Sequence, residues 1–188
     1  MGVIIAVLVV LALFLIFSVS IYNGLVRLKN QVQRAWANID VILKQRFDEI
    51  PQLVQVIEQY ANYEAGIIKK LAEARAHYGS AQSVAEKIKS STEMSLALSG
   101  VMAISEAYPE LKANQNFINL QTRVSSLETT LSDRRETYNE VVTNFNTRIE
   151  QFPDVIVARI LGYQEQTLFQ VTEAEKQKPN LKMDLPKF

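Results

Sequence analysis

No residue before Arg27 carries a charged side chain, and residues 2–19 are almost entirely apolar. Roughly 20 apolar residues, at about 1.5 Å rise each, are enough to cross a hydrocarbon core of about 30 Å. Backbone polar groups inside a bilayer must bond within their own segment, so such a segment is a helix. The sequence therefore predicts a transmembrane anchor over residues 1–22.

A cleaved signal peptide is the alternative interpretation of this segment, because Ser18, Val19 and Ser20 form a small-x-small pattern. A secretory signal normally begins with basic residues and has a shorter apolar stretch. In this chain, Arg27 and the basic residues after it all follow the apolar segment. We therefore expect an uncleaved anchor whose helix continues through Asn23 and Gly24 into the next helix.

The charges that flank the anchor predict its orientation. Arg27, Lys29 and Arg34 follow the span, and no acidic residue precedes Asp40. Basic residues accumulate on the cytoplasmic side of a membrane. We expect a single-pass protein of the bacterial cell membrane, with its N-terminus outside and its C-terminal domain in the cytoplasm. The opposite orientation, with a periplasmic domain, stays open.

The composition of the remaining chain limits the classes of partner and chemistry. Basic and acidic residues number 20 each and are spread along the chain, which argues against a nucleic-acid partner. The absence of cysteine excludes disulfides, thiolate catalysis and cysteine-ligated metals. Only six glycines and five prolines are available for turns, so we expect long helices.

Apolar residues recur at alternating steps of three and four, which is the seam of helices that pack at shallow angles. No stretch of comparable length alternates with period two. The prediction is an all-α fold, in which the transmembrane helix continues into an antiparallel bundle of long helices. Three seams are formed by Leu25, Leu28, Val32, Ala35, Ile39 and Ile42; by Leu53, Ile57, Tyr60, Ile67, Leu71, Ala74 and Tyr78; and by Phe117, Leu120, Val124, Leu127, Leu131, Tyr138, Val141 and Phe145, which Ile149 and Phe152 continue.

Proline and glycine predict where the helices end. Pro51 predicts a kink or break between residues 47 and 50, and Gly79 suits a left-handed helix cap. A Ser- and Ala-rich third helix is expected over about 83–107, ended by Pro109. Asn114 or Asn116 then caps a long helix that continues to about Gln151. After Pro153, a short helix from Asp154 to Ile160 is expected, closed by Gly162.

Three regions follow from these boundaries: the anchor over 1–22, a helical bundle over 23–162 and an extended tail over 163–188. The tail contains the alternating segment 181–185 between Pro179 and Pro186. An extended segment that lies on the bundle, a disordered segment, or a strand that pairs with another subunit would each suit this pattern.

Motifs that carry chemistry are missing from the sequence. The scattered glycines form no phosphate-binding loop, and the single histidine, His77, excludes a two-histidine zinc site or a paired di-iron site. Glu73 and His77 are one helical turn apart and suit a surface pair. Arg134 falls on the third seam, and Arg27 and Asp40 lie on the first helix, so a cross-helix ion pair is a natural expectation. Asn23, Asn139 and Asn146 each follow an aromatic residue and can bond across an interface, within one chain or between chains.

Several segments in order resemble the LemA family. The front half is similar in residues 22–26, 35–41 and 46–54, and the back half in residues 108–113, 138–142, 145–146 and 152–153. The resemblance extends from about residue 20 to Gly162. Phe47, Gln45 and Phe145 depart mildly from the residues that are usual in the family.

The resemblance implies a bacterial membrane protein with one span and a cytoplasmic bundle of long helices. The family has no established enzymatic activity, and its relatives are associated with membrane organisation, including the formation of magnetosome membranes, and with envelope stress. No catalytic, cofactor-binding or metal-binding residue is implied. The family residues map to positions that we interpret as fold-defining or assembly residues: Tyr22, Asn23, Trp36, Asp40, Pro51, Asn139, Asn146 and Pro153.

Two functional hypotheses follow, with an enzyme as a disfavoured third. The first is a non-enzymatic scaffold that self-associates and organises or shapes the membrane, with the lipid bilayer and further copies of the chain as partners. The second is an adaptor or regulator of a membrane protease or other envelope protein, in which the third helix or the tail provides the contact. Neither hypothesis involves nucleic acid, a small-molecule substrate or a cofactor.

Overall fold

The computed structural model describes residues 1–60 and 65–169. These residues form six α-helices and contain no strand, so the predicted all-α fold with a long N-terminal apolar helix is confirmed for the described part of the chain. The helices are α1 (Gly2–Tyr60), α2 (Ala65–Ser80), α3 (Val84–Ser105), α4 (Pro109–Ala113), α5 (Gln115–Glu150) and α6 (Asp154–Ile160).

Helix α1 contains both the apolar anchor and the first helix of the bundle, without a break at Asn23 or Gly24. Its apolar N-terminal part is long enough to cross a membrane and is not buried against the rest of the chain. Of the kink or break predicted before Pro51, the break is wrong, because α1 continues through this proline to Tyr60. Asp48, three residues before this proline, pairs with Lys44 at 2.7 Å.

Helix α5 lies antiparallel to α1 and forms the longest interface of the fold. Contacts between the two helices connect early residues of one with late residues of the other: Gly24 with Arg148, Trp36 with Tyr138, Arg46 with Glu128, and Tyr60 with Asn114. The end of α5 therefore lies at the level of Gly24, next to the anchor. The predicted cap of α5 is confirmed, since Asn114 accepts hydrogen bonds from the backbone of Asn116 and Phe117.

Helices α2 and α3 form a hairpin that packs against the half of α1 and α5 furthest from the anchor. The second predicted seam is divided, because α1 ends at Tyr60 and α2 begins at Ala65. Gly79 provides no left-handed cap, since it is helical, whereas Gly162 has the positive φ of such a cap (65°). Pro109 does not end α3 directly, because it is the first residue of the short helix α4.

The seam predicted for α5 is buried at most of its positions, including Tyr138, Phe145 and Ile149, and it differs at Val141 and Phe152. Val142 is fully buried and Val141 only half-buried, and Phe152 is 81% exposed although it was expected to continue the seam. Glu128 and Arg135 are half-buried beside this face. Arg134 is exposed and lies off the buried face, and Asp40 of α1 pairs with Lys87 instead.

A polar network lies at the centre of the bundle, among the apolar seams of the helices. Arg46 is 1% exposed and occupies a seam position of α1 between Leu43 and Ile50. Its guanidinium lies 2.6 Å from Glu128 of α5 and donates to Ser95 of α3 at 3.1 Å. The network therefore joins three helices at one level of the bundle.

Neighbouring side chains complete this network. Ser95 donates to Glu128 at 3.2 Å, and Arg135 donates to Ser91 at 2.9 Å. Burial, with a smaller effect from Arg135, lowers the pKa of Arg46 to about 10, and Glu128 opposes that shift. Arg46 thus keeps its charge near neutral pH, and one helical turn further along α1, Glu49 pairs with Arg123 of α5.

We expect Arg46→Ala to lower the free energy of unfolding by about 3 kcal/mol or more, because it removes one partner of a buried ion pair. Arg134→Ala is the matched control and should change that free energy by less than about 0.5 kcal/mol, because its side chain is exposed. Urea denaturation of the full-length protein in mild detergent, followed by circular dichroism, measures both. Equal losses in the two variants would contradict a central role for the network.

Candidate functional site

Residues 163–169 follow α6 as an extended segment, here called the strap, which lies on the membrane-proximal half of α1 and α5. Asn146 of α5 donates to the carbonyl of Gln166 at 2.9 Å and accepts from its N–H at 2.8 Å. Asn139 makes the same two bonds with Phe169, both at 2.9 Å. Each asparagine amide therefore satisfies both backbone groups of one strap residue.

The spacing of these bonds follows from the geometries of a helix and an extended chain. Asn139 and Asn146 are two helical turns apart on one face of α5, which is about 10.5 Å at 1.5 Å per residue. Gln166 and Phe169 are three residues apart, which is about 10 Å in an extended chain. The two repeats match, and the strap runs antiparallel to α5.

Aromatic side chains hold the end of the strap. Phe169 is buried and stacks on Trp36 of α1, with ring centroids 6.2 Å apart, and it meets the edge of Tyr138 at 5.7 Å. Tyr138 also donates its hydroxyl to the carbonyl of Thr167, at 3.0 Å. Burial raises the pKa of Tyr138, which keeps this donor protonated. Arg135 lies over the Phe169 ring, 5.0 Å from its centroid.

The structure thus brings three of the eight family residues together around the strap: Trp36, Asn139 and Asn146. For both asparagines of α5, the interface is within one chain. Sequence reasoning did not identify Tyr138, Arg135 or Phe169 as strap contacts. The signal for Tyr138 was its place on the seam, but nothing in the sequence showed which segment it would meet.

Asp40 lies elsewhere, where the α2–α3 hairpin meets α1. It pairs with Lys87 at 2.7 Å and accepts from the hydroxyl of Tyr78 at 3.4 Å, so it makes no pair with Arg134. Burial together with the negative charge of Asp40 raises the pKa of Tyr78 to about 12. Lys87 stays within this cluster, 5.9 Å from the centroid of the Tyr78 ring. The arrangement fixes the hairpin on α1.

The remaining family residues take no part in either cluster. Tyr22 and Asn23 are exposed at the end of the anchor, where an interfacial aromatic is expected. Pro51 is exposed within α1. Pro153 follows a cis peptide bond and immediately precedes α6.

A groove of about 380 Å³ lies between α3 and α5 in the half of the bundle furthest from the anchor. Leu96, which is 50% exposed, lies in its wall, and its floor includes Val124. Small polar residues such as Ser99 and Ser125 line the remaining surface, so a side chain from another helix could enter. Its chemistry suits an apolar or mixed helical surface.

Groups of side chains that could hold a metal ion are absent among residues 1–60 and 65–169. These residues contain no cluster of three or more His, Asp or Glu side chains that could hold a metal ion. His77 is exposed and pairs with Glu93 of α3 at 2.8 Å, whereas Glu73, its expected partner, pairs with Lys69. His77 therefore links two surface helices.

We expect Asn139→Ala or Asn146→Ala to loosen the strap, because each removes two hydrogen bonds to its backbone. Amide exchange at residues 166–169 should accelerate about tenfold, which corresponds to roughly 1.4 kcal/mol. Hydrogen–deuterium exchange of the full-length protein measures this. Asn119→Ala is the control, because Asn119 is exposed on the same helix and contacts Gln115. Unchanged amide exchange of the strap in both Asn139→Ala and Asn146→Ala would show that these two asparagines do not hold the strap.

The sequence of this chain is similar to those of known proteins. The sequence profile of the LemA family matches residues 35–183. Protein LemA of Metamycoplasma hominis is 25% identical over 176 residues, which cover 87% of this chain and 79% of that protein.

Two further relatives match a shorter part of the chain. Magnetosome proteins MamQ 1 and MamQ 2 of Paramagnetospirillum magneticum are each 30% identical over 74 residues, which cover 39% of this chain and 27% of theirs. The family match together with the apolar N-terminal helix indicates a membrane-associated protein. Because the family profile matches well over half of the sequence, this chain belongs to the LemA family.

Proposed function

We propose that the chain is a membrane-anchored, non-enzymatic scaffold whose bundles self-associate and thereby organise the bacterial membrane. The observation that carries this proposal is the unbroken helix α1, which extends from the anchor into the bundle. A continuous helix transmits the orientation of the span to the bundle. Copies in one membrane therefore present the same surfaces at the same height.

The groove between α3 and α5 supports self-association. It lies in the half of the bundle furthest from the anchor, and Leu96 is exposed in its wall. Confinement to a membrane raises the effective concentration of copies, so weak contacts at this groove suffice for assembly. The names of two relatives as magnetosome proteins also favour a role in membrane organisation.

The proposed topology has the N-terminus outside and the bundle in the cytoplasm. It rests on Arg27, Lys29 and Arg34, which all follow the span. Each projects from α1 on the same side of the membrane as the bundle, because α1 is continuous.

We expect the full-length protein in mild detergent to have the mass of a discrete oligomer by light scattering. Leu96→Arg should reduce that mass, because a charged side chain in the groove wall opposes packing of an apolar surface. Val41→Arg is the matched control, since Val41 is similarly exposed, at 57%, and lies outside the groove. The control should keep the mass of the parent protein.

A monomer at every accessible concentration would contradict the scaffold proposal. It would favour the alternative function, an adaptor for a membrane protease or other envelope protein. Cross-linking in membranes would then capture a different protein at the α3–α5 groove and no second copy of the chain.

A further inference from the structure

The short helix α6 and the residue pair before it expose large apolar side chains. Ile156 and Ile160 are one turn apart on the same face and are 53% and 79% exposed. Phe152, which precedes the helix, is 81% exposed. Asp154 and Ala158, on the opposite face, are buried. Helix α6 is therefore amphipathic, and nothing in the described part of the chain covers its apolar face.

Contacts with α1 and α5 place α6 at the foot of the bundle. Arg148 of α5 donates to Asp154, the first residue of α6, at 2.7 Å. The same guanidinium lies 3.4 Å from the position that a Cβ on Gly24 would occupy. Gly24 is the second residue after the predicted span of residues 1–22. The start of α6 and the end of the anchor thus lie near the same guanidinium.

Burial along α1 agrees with this position. Ile21 is 7% exposed and Leu25 is fully buried, whereas the apolar residues that precede them are exposed. Helix α6 packs against both α1 and α5 in this region. The exposed apolar surface of the anchor and that of α6 are therefore close neighbours at one end of the molecule.

Basic residues also lie on and near α6, although the exposed carboxylates of Glu150 and Glu165 flank this helix in the chain. Arg159 of α6 is exposed next to Ile160, and Arg27 and Lys29 are exposed on α1 just beyond the span. Basic residues at this height attract anionic lipid headgroups. Apolar side chains flanked by basic ones are the pattern of a helix that lies in the interfacial region.

We propose that the exposed face of α6, with Phe152, Ile156 and Ile160, inserts into the interfacial region of the bilayer beside the anchor. The bundle then contacts the membrane at two places, which fixes its tilt and rotation about α1. The inference depends on the anchor crossing the membrane, and it is independent of self-association through the α3–α5 groove.

Site-directed spin labelling tests this contact directly, because the chain has no cysteine of its own. Ile156→Cys and Ile160→Cys are labelled separately in the full-length protein, in vesicles of phosphatidylethanolamine and phosphatidylglycerol. Collisions of each label with oxygen and with a water-soluble nickel chelate give its depth. Phe14→Cys in the anchor and Val41→Cys on the bundle are the controls, since both side chains are exposed, at 67% and 57%.

We expect the labels at 156 and 160 to collide more with oxygen than with nickel, as at Phe14, and the label at Val41 to show the opposite. Nickel access at 156 and 160 equal to that at Val41 would overturn the proposal. Low access to both reagents would also overturn it, because a second copy or another protein would then cover this face. Two independent positions, each with an unchanged circular dichroism spectrum, exclude misfolding as the cause.

Discussion

The continuity of α1 is the constraint on which the other parts of this structure depend. The N-terminal part of this helix is almost entirely apolar and is exposed, whereas its later part contributes the first seam of the bundle. Because one helix has both roles, the direction of the span also sets the direction of α5, which lies antiparallel to it. The end of α5, the short helix α6 and the start of the strap are consequently brought back to the membrane end of the molecule.

Different elements cover the α1–α5 seam in the two halves of the bundle. Away from the anchor, the α2–α3 hairpin covers the seam, and Arg46 with Glu128 joins the layers at their centre. Near the anchor, the strap takes the place of a helix pair. An extended segment leaves its backbone groups unsatisfied unless a partner is provided. Asn139 and Asn146 supply that partner, and Trp36 with Tyr138 packs the last strap residue.

Much of this fold was predictable from the sequence, because apolar periodicity and capping residues are local signals. The anchor, the continuous first helix, the cap at Asn114 and the short helix before Gly162 all follow from such signals. The break before Pro51 did not occur. Helix α1 continues through this proline to Tyr60, although a proline inside a helix removes one backbone hydrogen bond. The seam of α5 differs from the prediction at Val141, because the equally apolar Val142 beside it is the buried residue. Charged residues at seam positions make the buried face of α5 difficult to identify from the sequence.

The strap shows the limit of sequence reasoning about a candidate site. The asparagines of α5 were identifiable as interface residues, but their partners are backbone groups, which have no sequence signal. The alternating segment 181–185 lies outside the described residues, so the predicted strand pairing of that part of the tail stays a prediction.

The central claim is that the anchor and the bundle form one rigid unit through α1. A pulsed electron-resonance distance between spin labels at Tyr22 and Val41 tests it most directly, with labelled protein diluted into unlabelled copies in vesicles. A continuous helix, at about 1.5 Å rise per residue, puts the two α-carbons about 28 Å apart, and the account predicts a single narrow distribution near that value once the label linkers are included. A broad distribution, or one centred at a clearly shorter distance, would reveal a hinge at Asn23 and Gly24 and would contradict the account.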